Sequence, residues 1–354
     1  MLPPILPIFP EAPRSILFIT VSRIGDTLFA TPALRAIAAA WPGAAITVLA
    51  HPKRAEVLAN FPGVARVGGI DKGRAIWRGR LGVLSRQFDL AFAFGFDEPL
   101  VAYALRVARR VVAFRQADER LNSKLFAAVD RPPFQSEHAV RQLLRLPAAV
   151  GVATKGLRIG YQPRPAELAD AQQHLAASGI ASATPLIGLQ VASFPTKAYR
   201  DWPIASFADL CCRIAHRWPH AGFLIYGGDE ERQRTGWLKE QLGHRAALFA
   251  GQLSLRQTAA LMSLTDLYVG VDTGPTHLMS AFDIPLVALY HCISPSSLTG
   301  PLDHPCAYVI DHPVPHGACK ETVSMADITV DTVFERVEHA LTAHPPRTPT
   351  SRHA

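Results

Sequence analysis

Several signatures are missing from this chain of 354 residues, and each absence removes a class of protein. No run approaches the roughly 20 consecutive apolar residues that a membrane-spanning helix needs. There is no G-x-G-x-x-G, no Gly-Lys pair of a P-loop and no G-x-S-x-G elbow, which argues against a dehydrogenase, an NTPase and a serine hydrolase. D-x-D is missing as well, so a diphosphate would be held by helix N-termini and basic side chains rather than through a metal. Cysteine is scarce: Cys211, Cys212, Cys292, Cys306 and Cys319 form no C-x-x-C pair, and their number is odd. The expectation is no disulfide and no zinc site, with Cys211 and Cys212 as small buried side chains of a helix. The opening MLPPILPIFPEAPR is apolar but proline-rich, with no basic start. It reads as a loose arm rather than a signal peptide, so the expected location is cytoplasmic.

What is present fits a folded chain of two domains, since 354 residues exceed what one core serves comfortably. Charge is divided unevenly. Residues 1–165 hold 23 Lys and Arg against 11 Asp and Glu, a net +12, whereas residues 166–354 hold 13 against 18, a net −5. The first half is therefore expected to meet something anionic. Nucleic acid is the weakest candidate for that partner, because no aromatic stacking motif or helix-turn-helix accompanies the charge.

Short β-branched runs alternate with helical stretches twice over. The first series has strands at 16–21, 46–50, 64–67, 90–94 and 111–114, with helices at 27–41, 54–60, 74–86 and 99–109 between them. The pattern loosens from 115 to 185, where helices at 136–150 and 166–177 flank a proline-rich stretch at 162–165. The second series has strands at 186–191, 222–226, 247–249, 267–271 and 285–290. Its helices are 204–218, 230–242 and 254–264, a short one after 271, and a last one to about 343. Ser254 with Gln257, and Thr332 with Glu335, have the spacing of capping boxes. Strand–helix alternation predicts parallel sheets with right-handed crossovers. The expected fold class is α/β, two facing Rossmann-like domains with parallel sheets. The domains are placed at 15–165 and 166–343, with residues 1–14 as a flexible arm and 344–354 as a disordered tail.

Three strand-to-helix junctions carry chemistry. In Asp272-Thr273-Gly274-Pro275-Thr276-His277 a buried strand runs straight into a helix, whose first amides attract anions. Gly274 admits a phosphate close to the backbone, Thr273 and Thr276 can add hydroxyl donors, and His277 lies on the first turn. The alternative is a plain turn capped by Asp272 or Thr273. In Ser22-Arg23-Ile24-Gly25-Asp26-Thr27 a carboxylate stands at a helix entrance. It can serve as a general base for a hydroxyl, or simply as a helix cap. In SFPTKAYRDWP (193–203), Lys197 or Arg200 can neutralise a leaving diphosphate. Gly227-Gly228-Asp229-Glu230-Glu231 offers carboxylates for ribose hydroxyls.

Together these segments resemble glycosyltransferase family 9, the ADP-heptose:lipopolysaccharide heptosyltransferases. The pieces are ILFITVSRIGDTLFATPALRAI, TKAYRDWPIASFADL, FLIYGGDEE and ALFAGQLSLRQTAALMSLTDLYVGVDTGPTHLMSAFDIPLVALY, which cover most of residues 15–340. The resemblance implies a GT-B fold, with the last helix crossing back to the first domain, and an inverting, metal-independent transfer needing no cofactor. It implies that Asp26 is the base, with Arg23 and Gly25 beside the acceptor. Asp272 to His277, with Lys197 or Arg200 and with Glu230, would hold the nucleotide-sugar donor. The acceptor would be an anionic lipopolysaccharide core, with peripheral contact at the cytoplasmic face of the inner membrane. Two other readings stay open: a nucleotide-sugar epimerase or another transferase on the same fold, and a non-catalytic paralogue that only binds nucleotide sugar.

Overall fold

The computed structural model describes residues 11–80 and 86–349, without the side chains of 77–80. The chain divides between Gln162 and Pro163 into two units. Six strands form the sheet of the first: β1 (Ser15–Thr20), β2 (Ala45–Ala50), β3 (Val64–Gly69), β4 (Phe88–Ala93), β5 (Ala108–Phe114) and β6 (Ala127–Val129). Their order is β3-β2-β1-β4-β5-β6, and every pairing is parallel. The second sheet is built from β7 (Leu186–Gln190), β8 (Gly222–Tyr226), β9 (Ala246–Leu248), β10 (Leu267–Val271), β11 (Leu286–Tyr290) and β12 (Ala307–Asp311). It runs β12-β11-β10-β7-β8-β9, again all parallel.

Counted from its own first strand, each unit has the same order. Each reverses its winding between its first and fourth strands, at β1/β4 and at β7/β10. In open parallel sheets the crevice at the carboxyl ends of the strands at such a reversal is where ligands bind. The expected α/β architecture of two Rossmann-like parallel sheets is the one observed.

The strands form where they do because both faces are covered. β7, β8, β10 and β11 are buried at every residue. Such strands read as unbroken apolar runs rather than as alternation. On one face Ile187, Leu189, Phe223, Ile225 and Val269 pack with Trp202, Phe207 and Val333. On the other, Leu186, Leu224, Tyr226 and Tyr268 pack with Leu175 and Leu261.

Several boundaries differ from the sequence expectation, each for a local reason. The helix expected over 27–41 is two, Ile24–Phe29 and Thr31–Ala40. Pro32 has no N–H for the Leu28 carbonyl. The Thr31 hydroxyl donates to that carbonyl instead, at 2.6 Å, and accepts the Gly160 N–H at 2.8 Å. The Ser254–Gln257 capping box forms as expected. The box placed at Thr332 does not: the last helix, Val330–Ala343, is capped by Thr329, whose hydroxyl accepts the Thr332 N–H at 3.2 Å. That helix buries Val333, Val337 and Leu341 in the core of the second unit. The strands β6 and β12 were not anticipated.

The expected tail is tied down in part, since the Arg347 N–H donates to Asp266 Oδ1 at 3.1 Å. Residues 350–354, most of the N-terminal arm and the end of the helix expected over 74–86 lie outside the described residues. Among the described residues no helix is long and apolar enough to cross a membrane.

Close packing beneath the loop after β10 leaves no room at Gly270, where a Cβ would stand 2.6 Å from Tyr268 Cε1 and 2.7 Å from Thr276 Oγ1. Overpacking of this kind costs about 1–3 kcal/mol. Gly270→Ala is therefore expected to lower denaturant stability by about that amount, and unchanged stability would show that the Tyr268–Thr276 layer can yield.

Candidate functional site

At the end of β10 the chain turns into the six-residue helix Gly274–Met279, with Thr273 as its N-cap. Asp272, just before it, is 2% exposed. Its Oδ2 accepts a hydrogen bond from Arg200 Nη1 at 2.7 Å, and its Oδ1 lies 3.2 Å from His277 Nε2. Burial alone would raise this carboxyl. The hydrogen bond and charge of His277, together with the Arg200 guanidinium, outweigh burial and hold it below the ordinary carboxylate range. One buried charge thus orients two side chains from different loops, both at the reversal point between β7 and β10.

The threonine hydroxyls of the turn face inward. Thr276 Oγ1 donates to the Val271 carbonyl at 2.6 Å, with the Tyr268 hydroxyl 3.2 Å away. Thr273 Oγ1 donates to the same carbonyl at 3.3 Å. These bonds hold the turn's shape and leave an incoming anion to the first-turn amides of Gly274 and Thr276. Pro275 has no N–H to offer.

The loop after β7 is pinned at both ends. Ser193 N–H donates to Asp201 Oδ1 at 2.7 Å, and Arg234 pairs with the same carboxylate. Ser193 Oγ donates to the Lys197 carbonyl at 2.8 Å. The fully buried Trp202 donates its indole N–H to the Ile328 carbonyl at 2.8 Å. Between these anchors runs a 3₁₀ segment, Pro195–Arg200, kinked at Lys197.

The two basic residues that the sequence could not separate have different surroundings. Arg200 is committed to Asp272, although its buried Nε has no hydrogen-bond partner among the described residues. Lys197 is half-buried, donates to the Tyr199 hydroxyl at 3.4 Å and has no carboxylate partner among the described residues. Glu230 is exposed. Its neighbour Glu231 turns inward instead, accepting the Gly228 N–H, and burial raises its carboxyl.

In the first unit Arg23 is the exposed N-cap of Ile24–Phe29, Gly25 is buried and Asp26 is exposed. Ser22 Oγ donates to Asp26 Oδ2 at 2.8 Å. Arg54 Nη1 donates to the Ser22 carbonyl at 2.9 Å, fixing the turn. Arg23 occupies the cap position, so Asp26 does not cap this helix; its carboxylate stands in solvent on the first turn.

The cysteine expectation is corrected. Cys292 and Cys319 form a disulfide across 27 positions of sequence, with Cα atoms 5.6 Å apart. No spacing rule relates them; the fold brings the loop after β11 against the segment that follows β12. Cys211 is buried as expected but Cys212 is exposed, because adjacent residues point to different sides of a helix. His291, before Cys292, sets its ring edge-on to Tyr199 with centroids 5.0 Å apart.

Two doubly wound parallel sheets of this order have the GT-B architecture. The model of Glycosyltransferase family 9 (heptosyltransferase) matches residues 101–328, more than half of the chain, and the chain belongs to that family. It is a glycosyltransferase. It is 24% identical over 295 residues to the lipopolysaccharide core heptosyltransferase OpsX of Haemophilus influenzae, a match covering 80% of this chain and 81% of that protein. It is 27% identical to lipopolysaccharide heptosyltransferase 1 of Pseudomonas aeruginosa, across 79% of each. The structure of E. coli ADP-heptose lps heptosyltransferase II superposes with a TM-score of 0.77 and 22% identity, covering 93% of this chain and 99% of that one.

Breaking one side of a buried ion pair costs about 3–5 kcal/mol. Asp272→Asn is expected to lose about that much stability at pH 7. The folded carboxyl is held down, so its contribution is present above the ordinary value of 3.8 and is lost as pH falls through the folded value. The gap between wild type and variant in denaturant titrations should therefore narrow below about pH 4. A gap that stays constant with pH would remove Asp272 from this role.

Proposed function

We propose that this chain transfers heptose from ADP-heptose to a hydroxyl of the lipopolysaccharide core, by single displacement with inversion and without a metal ion. The observation that carries the reading is the Arg200–Asp272–His277 arrangement at the reversal point of the second sheet, in a chain of this family. It supports the donor diphosphate lying against the first-turn amides of Gly274 and Thr276. Lys197, which has no carboxylate partner among the described residues, supplies positive charge. Arg200, held by Asp272, adds a second fixed positive charge to the same loop. Those donors are fixed before the substrate arrives, so they stabilise charge growing on the leaving diphosphate with little reorganisation.

The acceptor half of the reaction needs a base, because a hydroxyl is a weak nucleophile until its proton is taken. Asp26 suits that role: it is exposed on the first turn of the helix after β1, and the hydrogen bond from Ser22 orients its carboxylate. Arg23 beside it, and the net +12 of residues 1–165, match an acceptor carrying phosphate and an anionic membrane surface around it.

Two variants separate the halves. A positioned base contributes about 10²–10⁴-fold. Asp26→Asn should lower turnover of ADP-heptose by about that factor, with ADP affinity by calorimetry barely changed; near-normal turnover would take the base role from Asp26. Gly274→Val should weaken ADP binding at least tenfold by blocking close approach to the backbone, and unchanged affinity would place the diphosphate elsewhere. Turnover should survive excess EDTA, whereas a strict requirement for Mg²⁺ would overturn the metal-free transfer.

A further inference from the structure

The loop after β11 and the segment after β12 meet at a cluster that the transfer reaction does not use. His291, Cys292 and Cys319 bring one imidazole nitrogen and two sulfurs within 4.8 Å of one another. The structure shows the sulfurs joined as a disulfide. We propose that, when this disulfide is reduced, the same three side chains form a site for a soft divalent cation, zinc above all, and that the ion replaces the covalent bond as the cross-link.

The imidazole is already in the tautomer that a metal ligand needs. His291 Nε2 donates to the Val323 carbonyl at 3.1 Å, which places the proton on that nitrogen. Nδ1 therefore carries the lone pair. That lone pair now accepts the Ile293 N–H at 3.2 Å, a bond the ion would displace, and Nδ1 lies 3.9 Å from both Cys292 Sγ and Cys319 Sγ. A ring nitrogen that donates its other N–H to a backbone carbonyl is the usual second shell of a metal-bound histidine. Distances fit as well. Zinc with bonds of about 2.0 Å to nitrogen and about 2.3 Å to sulfur sets tetrahedral ligand atoms about 3.5–3.8 Å apart. The nitrogen–sulfur separations need to change by only a few tenths of an ångström. The two sulfurs alone must separate, and breaking their bond permits it.

Burial favours a bound ion over two free thiols. His291 is fully buried and Cys292 is 2% exposed. Cys319 is half-buried, which leaves one side open for a water as fourth ligand. His316 Nδ1 lies 2.7 Å from the Cys292 carbonyl and fixes the backbone around the first sulfur. Two thiolates and an imidazole select zinc or another soft ion over Mg²⁺, so this site is unsuited to bridging a diphosphate. It would instead fasten the residues after β12 beneath Tyr199, whose ring meets His291 and lies beneath Lys197 and Arg200.

The chemistry balances as follows. A dithiol gives two electrons and two protons to the disulfide and becomes a cyclic disulfide itself, leaving two cysteine thiols. Binding of the ion then releases both thiol protons to solvent.

The full chain, reduced with an excess of dithiothreitol and desalted without air, is titrated with Co²⁺. One Co²⁺ per chain should bind, with the near-ultraviolet absorption of thiolate-to-cobalt charge transfer, and Zn²⁺ should displace it. Unreduced protein should show no such band, a comparison that needs no variant. Cys292→Ser and Cys319→Ser should each abolish the band, His291→Gln should weaken binding at least tenfold, and Cys306→Ser should keep both band and stoichiometry. A reduced wild type without the thiolate band, or a band that survives Cys292→Ser, would overturn the proposal.

Discussion

Much of the second unit depends on one buried carboxylate. Asp272 sits where β10 ends and has almost no contact with water. An ionised group in that position is tolerable only with partners, and Arg200 and His277 are among them. They come from the loop after β7 and the helix after β10, so the carboxylate ties together the two chain segments that border the reversal point. Its cost is met by charge and hydrogen bonding. Its benefit is that two cationic or potentially cationic groups are held in fixed orientation without a ligand. Other features support the same arrangement: Trp202 pins the loop from beneath, and Gly270 lets Tyr268 and Thr276 close under the turn.

The first unit repeats the sheet order with different chemistry at its own reversal point. There an exposed carboxylate, Asp26, stands on the first turn of the helix that follows β1. Asp26 is held by a serine hydroxyl and keeps its oxygens in solvent, whereas Asp272 is enclosed and spoken for. The same residue type, placed at equivalent ends of two similar sheets, therefore has opposite surroundings. An enclosed, partnered carboxylate serves as a brace.

Much of this was legible in order along the chain. Apolar runs at 186–191, 222–226 and 267–271 gave strands, because a buried parallel strand has no polar face to interrupt its pattern. The Asp272–His277 turn could be located because a glycine and a proline follow directly on an apolar strand. Other features were not legible. Thr31–Pro32 breaks a helix that periodicity alone would run through, and the break needs Gly160, far away in sequence, to complete it. The cap at Thr329 was passed over for Thr332 because both offer a hydroxyl, and only the path of the chain chooses between them. Arg200 and Lys197 looked alike until Asp272 stood beside one of them.

Local patterns along the chain encode the α/β class, the two series of strands, the positions of the strand-to-helix turns and the uneven charge of the two halves. These follow from periodicity and from residue types acting on their near neighbours. Tertiary structure alone decided the strand order and the pairing of Arg200 with Asp272 across 72 positions. It also decided the inward turn of the threonine hydroxyls, and the meeting of Cys292 with Cys319 beside His291. Each of these joins groups that are distant along the chain. Such joining depends on how crossovers stack strands and loops, and no local pattern records that.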